Sequence, residues 1–392
     1  MARFQQSDSI KRLPEQFFAK LVNKIEPYYQ AGFDMINLGQ GNPDQPTPDH
    51  IIKTLQTSAT NPVHHKYPPF RGHTFLKKAI ADYYKREYDV ELDPEKEVAI
   101  LFGAKAGLVE VSQCLLNHGD TVLVPDPGYP DYESGIAIAG AKQYRMALKR
   151  ENDFLPDYDS IPEEVLQKAK LMFLNYPNNP TAGIATSEFF EETVRLGEKT
   201  GCCIVHDFAY GSIGFDRKKP FSFLQTKGAK EVGVEMYTLS KTYNMAGWRV
   251  GFALGNEEVV EAINLIQDHY YCGMFGSIQE AAASALNGPQ DCVHELTAIY
   301  EDRRNAFISK LKDNGWDVDY PKGSFFSWIP VPEGYTSEDY AELLIEKAHV
   351  IVAPGNGFGK TGEGFVRVGL NCEKHRLLEA ADRMINVHSK HL

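Results

Sequence analysis

The chain has 392 residues, of which 43% are hydrophobic and 24% are charged, and its formal net charge at pH 7 is -12. Because this length exceeds what one hydrophobic core usually organises, we expect two domains. The acidic balance disfavours a protein that binds a nucleic-acid backbone, since such binding depends on clustered Lys and Arg. The composition favours a globular protein that acts on small molecules.

The cysteines and the hydropathy pattern bear on the cellular compartment. The six cysteines show no C-x-x-C pair and no metal-ligand spacing, which favours free thiols in a reducing compartment. No apolar run approaches the ~20 residues that a membrane span requires, and residues 1–30 do not have the pattern of a secretion signal. We therefore expect a cytoplasmic protein.

Short apolar runs alternate with helical stretches from about residue 95 to residue 255. Two of the stretches with helical period are Gly107–Leu116 and Ser187–Lys199. Buried strands separated by helices predict an α/β domain with a mainly parallel, doubly wound sheet. Ligands of such sheets collect at the carboxyl ends of the strands. The runs that we predict to be strands are Val98–Phe102, Thr121–Pro125, Leu171–Asn175, Cys202–Asp207, Glu235–Ser240 and Val250–Leu254.

The pattern changes after about residue 285 and predicts a smaller α+β domain. We expect residues 1–44 to join this small domain, residues 45–285 to form the large ligand-binding domain, and residues 286–392 to form the small C-terminal domain. The segments behind this prediction are the helical stretches through Tyr300–Lys312 and near Glu338–Lys347, the segment Ser324–Pro330, and the apolar runs Val350–Ala353 and Phe365–Leu370.

The most informative segment runs from Thr238 to Arg249 and reads T-L-S-K-T-Y-N-M-A-G-W-R. A lysine just after a buried strand can be partly desolvated, which lowers its pKa and makes Lys241 a competent amine for imine formation. The hydroxyls of Thr238 and Ser240 and the guanidinium of Arg249 can hold a phosphate. Taken alone, Lys241 would be an ordinary surface lysine.

Two further motifs follow predicted strands. In Asp207–Tyr210, a carboxylate can keep a pyridine nitrogen protonated, and a phenol three residues later can donate to an oxygen of the same ring. An isolated Asp at this position is more often a helix N-cap. In Asn175–Thr181, two prolines restrict a turn and leave the Asn amides available for binding.

Together these motifs resemble the class I and II aminotransferases, which have the pyridoxal-5'-phosphate (PLP) transferase fold of type I. The ordered set is N-N-P-T at Asn178–Thr181, D-x-A-Y at Asp207–Tyr210, S-K-T at Ser240–Thr242, and the late Arg367. The likeness extends from Asn37 to Arg367. It implies the fold, a PLP cofactor and an aminotransferase activity.

The resemblance also implies roles for individual residues around the PLP ring. Lys241 would carry the cofactor as a Schiff base and later move the substrate proton. Asp207 would be the partner of the pyridine nitrogen. Tyr210 and Asn179 would bind the ring oxygen, and Tyr129 would stack on the ring face.

The cofactor phosphate would lie at the start of the helix after Gly103, where Ala104 and Lys105 present free backbone N–H groups. Side chains expected to complete the phosphate site are Thr238, Ser240 and Arg249.

Arg367 would clamp the substrate carboxylate, with Gly39 and Asn179 beside it. Because Val366 and Val368 flank Arg367, a surface ion pair is a weaker interpretation. Tyr67 resembles the family tyrosine that reaches the phosphate of a neighbouring subunit. The resemblance therefore implies a homodimer with shared active sites.

Two positions depart from the family pattern. Ala182 stands where the turn usually has glycine, which is displaced to Gly183, and Ala104 stands where many relatives have a hydroxyl residue.

The overall likeness is greatest to the transaminases of methionine salvage, which make methionine from 4-methylthio-2-oxobutyrate, and diaminopimelate aminotransferases are near. A PLP-dependent carbon–sulfur β-lyase remains an alternative with the same lysine.

Other classes are disfavoured. The glycine-rich segment Gly355–Thr361 suggests a nucleotide-binding loop, but Pro354 stands where a phosphate loop requires glycine. A transcription regulator with this fold would need a DNA-binding segment before residue 30, which we do not expect. Phe17, Phe18, Tyr271 and Phe275 are candidates to line the side-chain pocket, and core packing is the alternative role for each of them.

Overall fold

The computed structural model describes residues 4–391 and contains a seven-stranded sheet, a three-stranded sheet and a two-stranded pair. The strands are β1 (Ile36–Asn37), β2 (Val98–Leu101), β3 (Thr121–Asp126), β4 (Lys142–Ala147), β5 (Ala169–Asn175), β6 (Cys203–Asp207), β7 (Gly233–Thr238), β8 (Gly251–Gly255), β9 (Phe326–Pro330), β10 (Val350–Ile351), β11 (Ala353–Pro354) and β12 (Phe365–Gly369).

The α-helices surround these sheets. They are α1 (Asp8–Lys11), α2 (Phe17–Gln30), α3 (Asp49–Ser58), α4 (Thr74–Tyr88), α5 (Ala104–Leu115), α6 (Tyr132–Ala139), α7 (Glu163–Leu166), α8 (Ser187–Thr200), α9 (Ala229–Val232), α10 (Leu239–Thr242), α11 (Glu257–Tyr270), α12 (Gly276–Asn287), α13 (Asp291–Asp313), α14 (Ser337–Leu343) and α15 (Lys374–His391). None of the helices within residues 4–391 has the length and apolar character needed to cross a bilayer.

The large sheet has the strand order β2-β8-β7-β6-β5-β3-β4. Strands β3 to β7 pair in parallel, whereas β8 runs antiparallel to both β2 and β7. The mainly parallel sheet predicted from the sequence is therefore confirmed. The edge strand β4 was not predicted, because its sequence K-Q-Y-R-M-A is too polar to read as an apolar run.

Helices cover both faces of the large sheet. In β5, Met172 packs into one apolar cluster and its neighbour Phe173 packs into another, because successive side chains of a strand point to opposite faces. The first cluster includes Leu76 of α4 and Phe190 of α8, and the second includes Leu108 of α5. Two buried faces explain why the parallel strands read as continuous apolar runs.

The remaining strands form a smaller assembly. Strand β12 pairs antiparallel with β9 and β11, and β1 pairs in parallel with β10 through Ile36 and Val350. A separate buried cluster joins these strands to α13 and α15. Residues 1–3 and 392, which we assigned to the small domain, lie outside the described part of the chain, and the division at residues 44 and 285 stays a prediction.

Candidate active site

A cavity of about 380 Å³ lies where β5, β6 and β7 end. The last residue of each strand, Asn175, Asp207 and Thr238, lines it. This is the sheet edge at which the parallel topology predicts ligands to bind. The predicted site residues that line the cavity are Ala104, Lys105, Tyr129, Asn179, Asp207, Tyr210, Thr238, Ser240, Lys241, Arg249 and Arg367.

Lys241 lies in α10, the single helical turn that follows β7 directly. Its Nζ atom donates a hydrogen bond of 2.6 Å to the carbonyl oxygen of Gly41. Burial, together with the positive charges of Arg367 and Arg249, lowers the pKa of Lys241 to about 7. Near neutral pH much of this amine is therefore uncharged, as nucleophilic chemistry requires.

Asp207 is a buried carboxylate with two donors from the protein. Its Oδ2 atom accepts from the hydroxyl of Tyr132 at 2.9 Å, and its Oδ1 atom accepts from the backbone N–H of Ala209 at 3.2 Å. Burial raises the pKa of Asp207, and the Tyr132 hydrogen bond opposes that rise. The residues after Asp207 form turns and not a helix, so the N-cap interpretation is wrong.

The Asn-rich turn joins Asp207 to the predicted carboxylate clamp. Asn175 donates from Nδ2 to the carbonyl oxygen of Asp207 at 2.8 Å and accepts the backbone N–H of Asn179 at 2.7 Å. The side-chain oxygen of Asn179 accepts from Arg367, which leaves its amide nitrogen to donate to a ligand. Ala182 adopts the left-handed conformation with φ 60°, and its N–H still bonds to Asn178. The departure from glycine therefore leaves this turn closed.

The other end of the cavity is formed by the N-terminus of α5. Gly103 has φ 84°, and a Cβ atom there would lie 2.3 Å from Nη2 of Arg249. Glycine thus lets the guanidinium approach the free N–H groups of the helix. The hydroxyls of Thr238 and Ser240 are 2.9 Å apart beside it. This combination of donors suits a bound phosphate.

Ala104 and Lys105, the first two residues of α5, both line this end of the cavity but differ in what their side chains offer. The Nζ atom of Lys105 lies 2.9 Å from Oδ2 of Asp131, so a carboxylate already neutralises its charge. Ala104 lines the cavity at the first position of α5 but has no side-chain donor.

Arg367 lies in β12 and is only 1% exposed. Its Nη1 atom donates to Oδ1 of Asn179 at 2.8 Å, and its Nη2 atom donates to the carbonyl oxygen of Gly39 at 2.7 Å. Burial lowers the pKa of Arg367 to about 10, so it stays charged at neutral pH. No carboxylate within residues 4–391 pairs with it, and the alternative of a surface ion pair is wrong. Gly39 itself does not line the cavity but holds the guanidinium through its carbonyl oxygen.

Aromatic rings surround the Arg367 guanidinium. The ring centroids of Phe326, Phe358 and Phe18 lie 4.1, 4.8 and 5.2 Å from its central carbon. Phe18 and Phe326 also line the cavity. Of the four aromatic residues that the sequence suggested for the pocket, only Phe18 lines this cavity. Phe17 packs against Phe18 from outside it.

Three sequence candidates lie away from the cavity. Tyr67 is 88% exposed, Phe275 is 40% exposed, and Tyr271 packs on another ring at a centroid distance of 4.5 Å. In the glycine-rich segment Gly355–Thr361, the backbone N–H groups of Lys360 and Thr361 donate to the carboxylate of Asp126 and so are not free to bind a phosphate.

Sequence reasoning missed Phe326 and Tyr132. Phe326 falls in the predicted run Ser324–Pro330, but nothing local distinguishes it from a core residue. Tyr132 lies three residues after Tyr129, and its contact with Asp207 joins positions 75 residues apart in the sequence. Only the folded chain brings them together.

The sequence profile of the family "Aminotransferase class I and II" matches residues 34–384. The chain belongs to this family. It is 62% identical, over 97% of this chain and 96% of the relative, to the L-glutamine–4-(methylsulfanyl)-2-oxobutanoate aminotransferase of Bacillus subtilis. It is 44% identical to the LL-diaminopimelate aminotransferase of Moorella thermoacetica, over 98% of this chain and 99% of the relative.

Solved structures agree with these relatives. The substrate-bound structure of BacF from Bacillus subtilis superposes with a TM-score of 0.94 at 46% identity and covers 98% of both chains. The aminotransferase thus has the type I fold that the sequence predicted.

Aminotransferases of this class depend on PLP, and the cavity of this aminotransferase fits that cofactor. It offers an amine with a lowered pKa, Lys241, and a buried carboxylate, Asp207. The N-terminus of α5 with Arg249 supplies the anion site at the other end.

Proposed function

We propose that this aminotransferase converts 4-(methylsulfanyl)-2-oxobutanoate to methionine, with glutamine as an amino donor. The Bacillus subtilis relative at 62% identity is named for that pair of substrates. The observation that carries the proposal is the position of Arg367, a buried cation beside the two aromatic rings of Phe18 and Phe326 that line the cavity.

The cavity wall favours a substrate with one carboxylate and a neutral side chain. A guanidinium binds the carboxylate through two parallel hydrogen bonds. A thioether sulfur beside an aromatic ring gains about 0.3–1.5 kcal/mol. A methionine-type side chain therefore suits the rings of Phe18 and Phe326.

Diaminopimelate, with charges at both ends, suits the same wall less well. Among the described residues that line the cavity, the cations are Lys105, Lys241, Arg249 and Arg367. Lys105 is paired with Asp131, and Arg249 lies at the phosphate end. Within this described lining, no free cation is left to hold a second substrate carboxylate beside Phe18.

PLP, when bound, supplies an electron sink that withdraws charge from the substrate Cα. Lys241 would hold the cofactor through its amine, and its Nζ atom would take the proton from the substrate Cα. The lowered pKa of Lys241 lets it both accept and return that proton near neutral pH. Asp207 would hold a proton on the ring nitrogen, and Arg367 would bind the substrate carboxylate in the same cavity as Lys241 and so orient the substrate.

A panel of amino donors tests the reaction. With 4-(methylsulfanyl)-2-oxobutanoate as acceptor, glutamine should give methionine at a higher kcat/KM than aspartate or diaminopimelate. The Lys241→Ala variant should show no turnover above background. Wild-type turnover by that variant, or a preference for diaminopimelate, contradicts the proposal.

Product analysis separates transfer from elimination. A carbon–sulfur β-lyase would release pyruvate and ammonia from cystathionine, whereas the aminotransferase should transfer the amino group to an added 2-oxo acid. Pyruvate formation that does not require an acceptor would favour the lyase.

We also propose a homodimer in which Tyr67 reaches the cavity of the second subunit. Tyr67 is 88% exposed. Two other exposed rings are Phe70, three residues later, which is 59% exposed, and Phe275, the residue before α12, which is 40% exposed. Tyr67→Phe should weaken PLP binding if its hydroxyl reaches a phosphate. Sedimentation that shows only monomers at micromolar concentration would contradict the assembly.

We also propose a cytoplasmic location and a division of the chain into two domains. The free cysteines support a cytoplasmic location. The separate apolar clusters of the large sheet and of the β9–β12 assembly support a large domain over residues 45–285, with the flanking segments in the small domain. Cell fractionation would test the location, and limited proteolysis would test the domain boundaries.

A further inference from the structure

Tyr132 makes a direct contact with Asp207 from outside the substrate cavity. It begins α6, is 2% exposed, and does not line the cavity that contains Lys241. Its hydroxyl oxygen lies 2.9 Å from Oδ2 of Asp207. Tyr132 is therefore placed to act on Asp207 without touching substrate.

The ring of Tyr132 is held by its neighbours. It stacks on Phe173 of β5 with centroids 4.8 Å apart and planes at 10°, and it meets Tyr129 edge-on at 5.6 Å. These contacts fix the direction of the hydroxyl. The same ring thus supports both Asp207 and Tyr129, the residue expected to stack on the cofactor.

The chemistry of Asp207 creates a need for such a donor. A buried carboxylate is stable as an anion only when hydrogen bonds replace its lost water. Within the protein, Ala209 serves Oδ1 and Tyr132 serves Oδ2. Burial also raises the pKa of Tyr132 well above its usual value, so the phenol stays protonated and donates at any working pH.

We propose that Tyr132 is a positioning residue, whose hydroxyl keeps Asp207 ionised and oriented so that Asp207 can hold the proton on the cofactor's ring nitrogen. This inference rests on the role proposed for Asp207. Without the hydroxyl, Asp207 would accept a proton more readily and would rotate more freely. The ring nitrogen would then be less fully protonated.

The Tyr132→Phe variant removes only the hydroxyl and keeps the stacked ring. Its matched control is Tyr158→Phe, because Tyr158 is also buried and its hydroxyl lies 2.8 Å from Oγ1 of Thr193, away from the cavity. We expect Tyr132→Phe to lower kcat by about 10- to 100-fold and to weaken PLP binding by about tenfold, on the scale of one hydrogen bond to a charged group. Tyr158→Phe should change each value less than about twofold.

The decisive readout is the ¹⁵N NMR shift of PLP labelled at the ring nitrogen and bound to each variant. This signal reports the protonation of the nitrogen only in folded, loaded protein, so a loss of stability alone does not move it. We expect a shift towards the unprotonated value in Tyr132→Phe and a wild-type shift in Tyr158→Phe. A wild-type shift in Tyr132→Phe would overturn the proposal, whatever the affinity for PLP.

The Asp207→Asn background separates the role of Tyr132 from the role of Asp207. If Asp207 has its proposed role, Asp207→Asn alone should move the ¹⁵N signal, and adding Tyr132→Phe should change it no further. If Asp207→Asn moves the signal and Tyr132→Phe does not, only the inference on Tyr132 fails. If Asp207→Asn leaves the signal unchanged, the role of Asp207 fails and the inference fails with it.

Discussion

Replacing Arg367 with Lys should weaken the use of substrate and leave the cofactor in place. Lysine keeps the positive charge but has no planar fork. In the native chain that fork donates to Asn179 and Gly39 at 2.8 and 2.7 Å. One ammonium cannot keep both hydrogen bonds and also meet both oxygens of a carboxylate.

The magnitude follows from the hydrogen bonds that lysine cannot make. A hydrogen bond to a charged group contributes about 1.5–3 kcal/mol. Since each ~1.36 kcal/mol changes a rate by a factor of about ten, removing one such bond should lower kcat/KM by roughly 10- to 150-fold. Most of the change should be in KM, because the carboxylate is bound in both the ground state and the transition state.

The assay is steady-state transfer from glutamine to 4-(methylsulfanyl)-2-oxobutanoate, with PLP content measured in parallel. Arg304→Lys is the matched control, because Arg304 is equally buried and its two terminal nitrogens bind Asp216 at 2.8 Å, away from the cavity. A kcat/KM equal to that of wild type in Arg367→Lys, or an equal decrease in the control, would rule out Arg367 as the carboxylate clamp.

Three further predictions address the ends of the cavity. In cofactor-free protein, the rate of acylation of Lys241 should be half-maximal near pH 7, because burial and then the charges of Arg367 and Arg249 lower its pKa to about 7. Mass spectrometry can follow the acylation, and a midpoint near ~10, as for an exposed lysine, would contradict this prediction. Phe18→Ala should raise KM for methionine by roughly 2- to 10-fold because the sulfur–ring contact is removed, and an equal rise with alanine as donor would argue against that contact. Ala104→Ser adds a donor at the start of α5 and should tighten PLP binding up to about tenfold, whereas an unchanged Kd in a titration would show that the hydroxyl misses the phosphate.

The fold could be predicted where the sequence shows the apolar runs that are typical of buried strands. Strand β5 is apolar on both faces, so Met172 and Phe173 both read as core although they point in opposite directions. The edge strand β4 has mostly exposed or half-exposed side chains and gave no such signal. Helix α5 begins at Ala104, three residues before the predicted start. The predicted start was too late because the apolar period begins only after the first turn of the helix.

The site was predictable where its residues follow strands in recognisable motifs. Lys241 and Asp207 are of that kind. Phe326 and Tyr132 were missed because their functional neighbours are distant in sequence and only the fold brings them close. Tyr67 is a different case, since its proposed target belongs to a second chain, which the packing of a single chain cannot reveal.

Lys241 as the cofactor-binding amine can be tested by reducing the PLP-loaded protein with borohydride and mapping the labelled peptide. We expect one labelled residue, Lys241, because this amine at the end of β7 has a lowered pKa and a cavity position that favour a bond to the cofactor. A label on any other lysine, or no retained label from protein that transaminates, would contradict that role for Lys241.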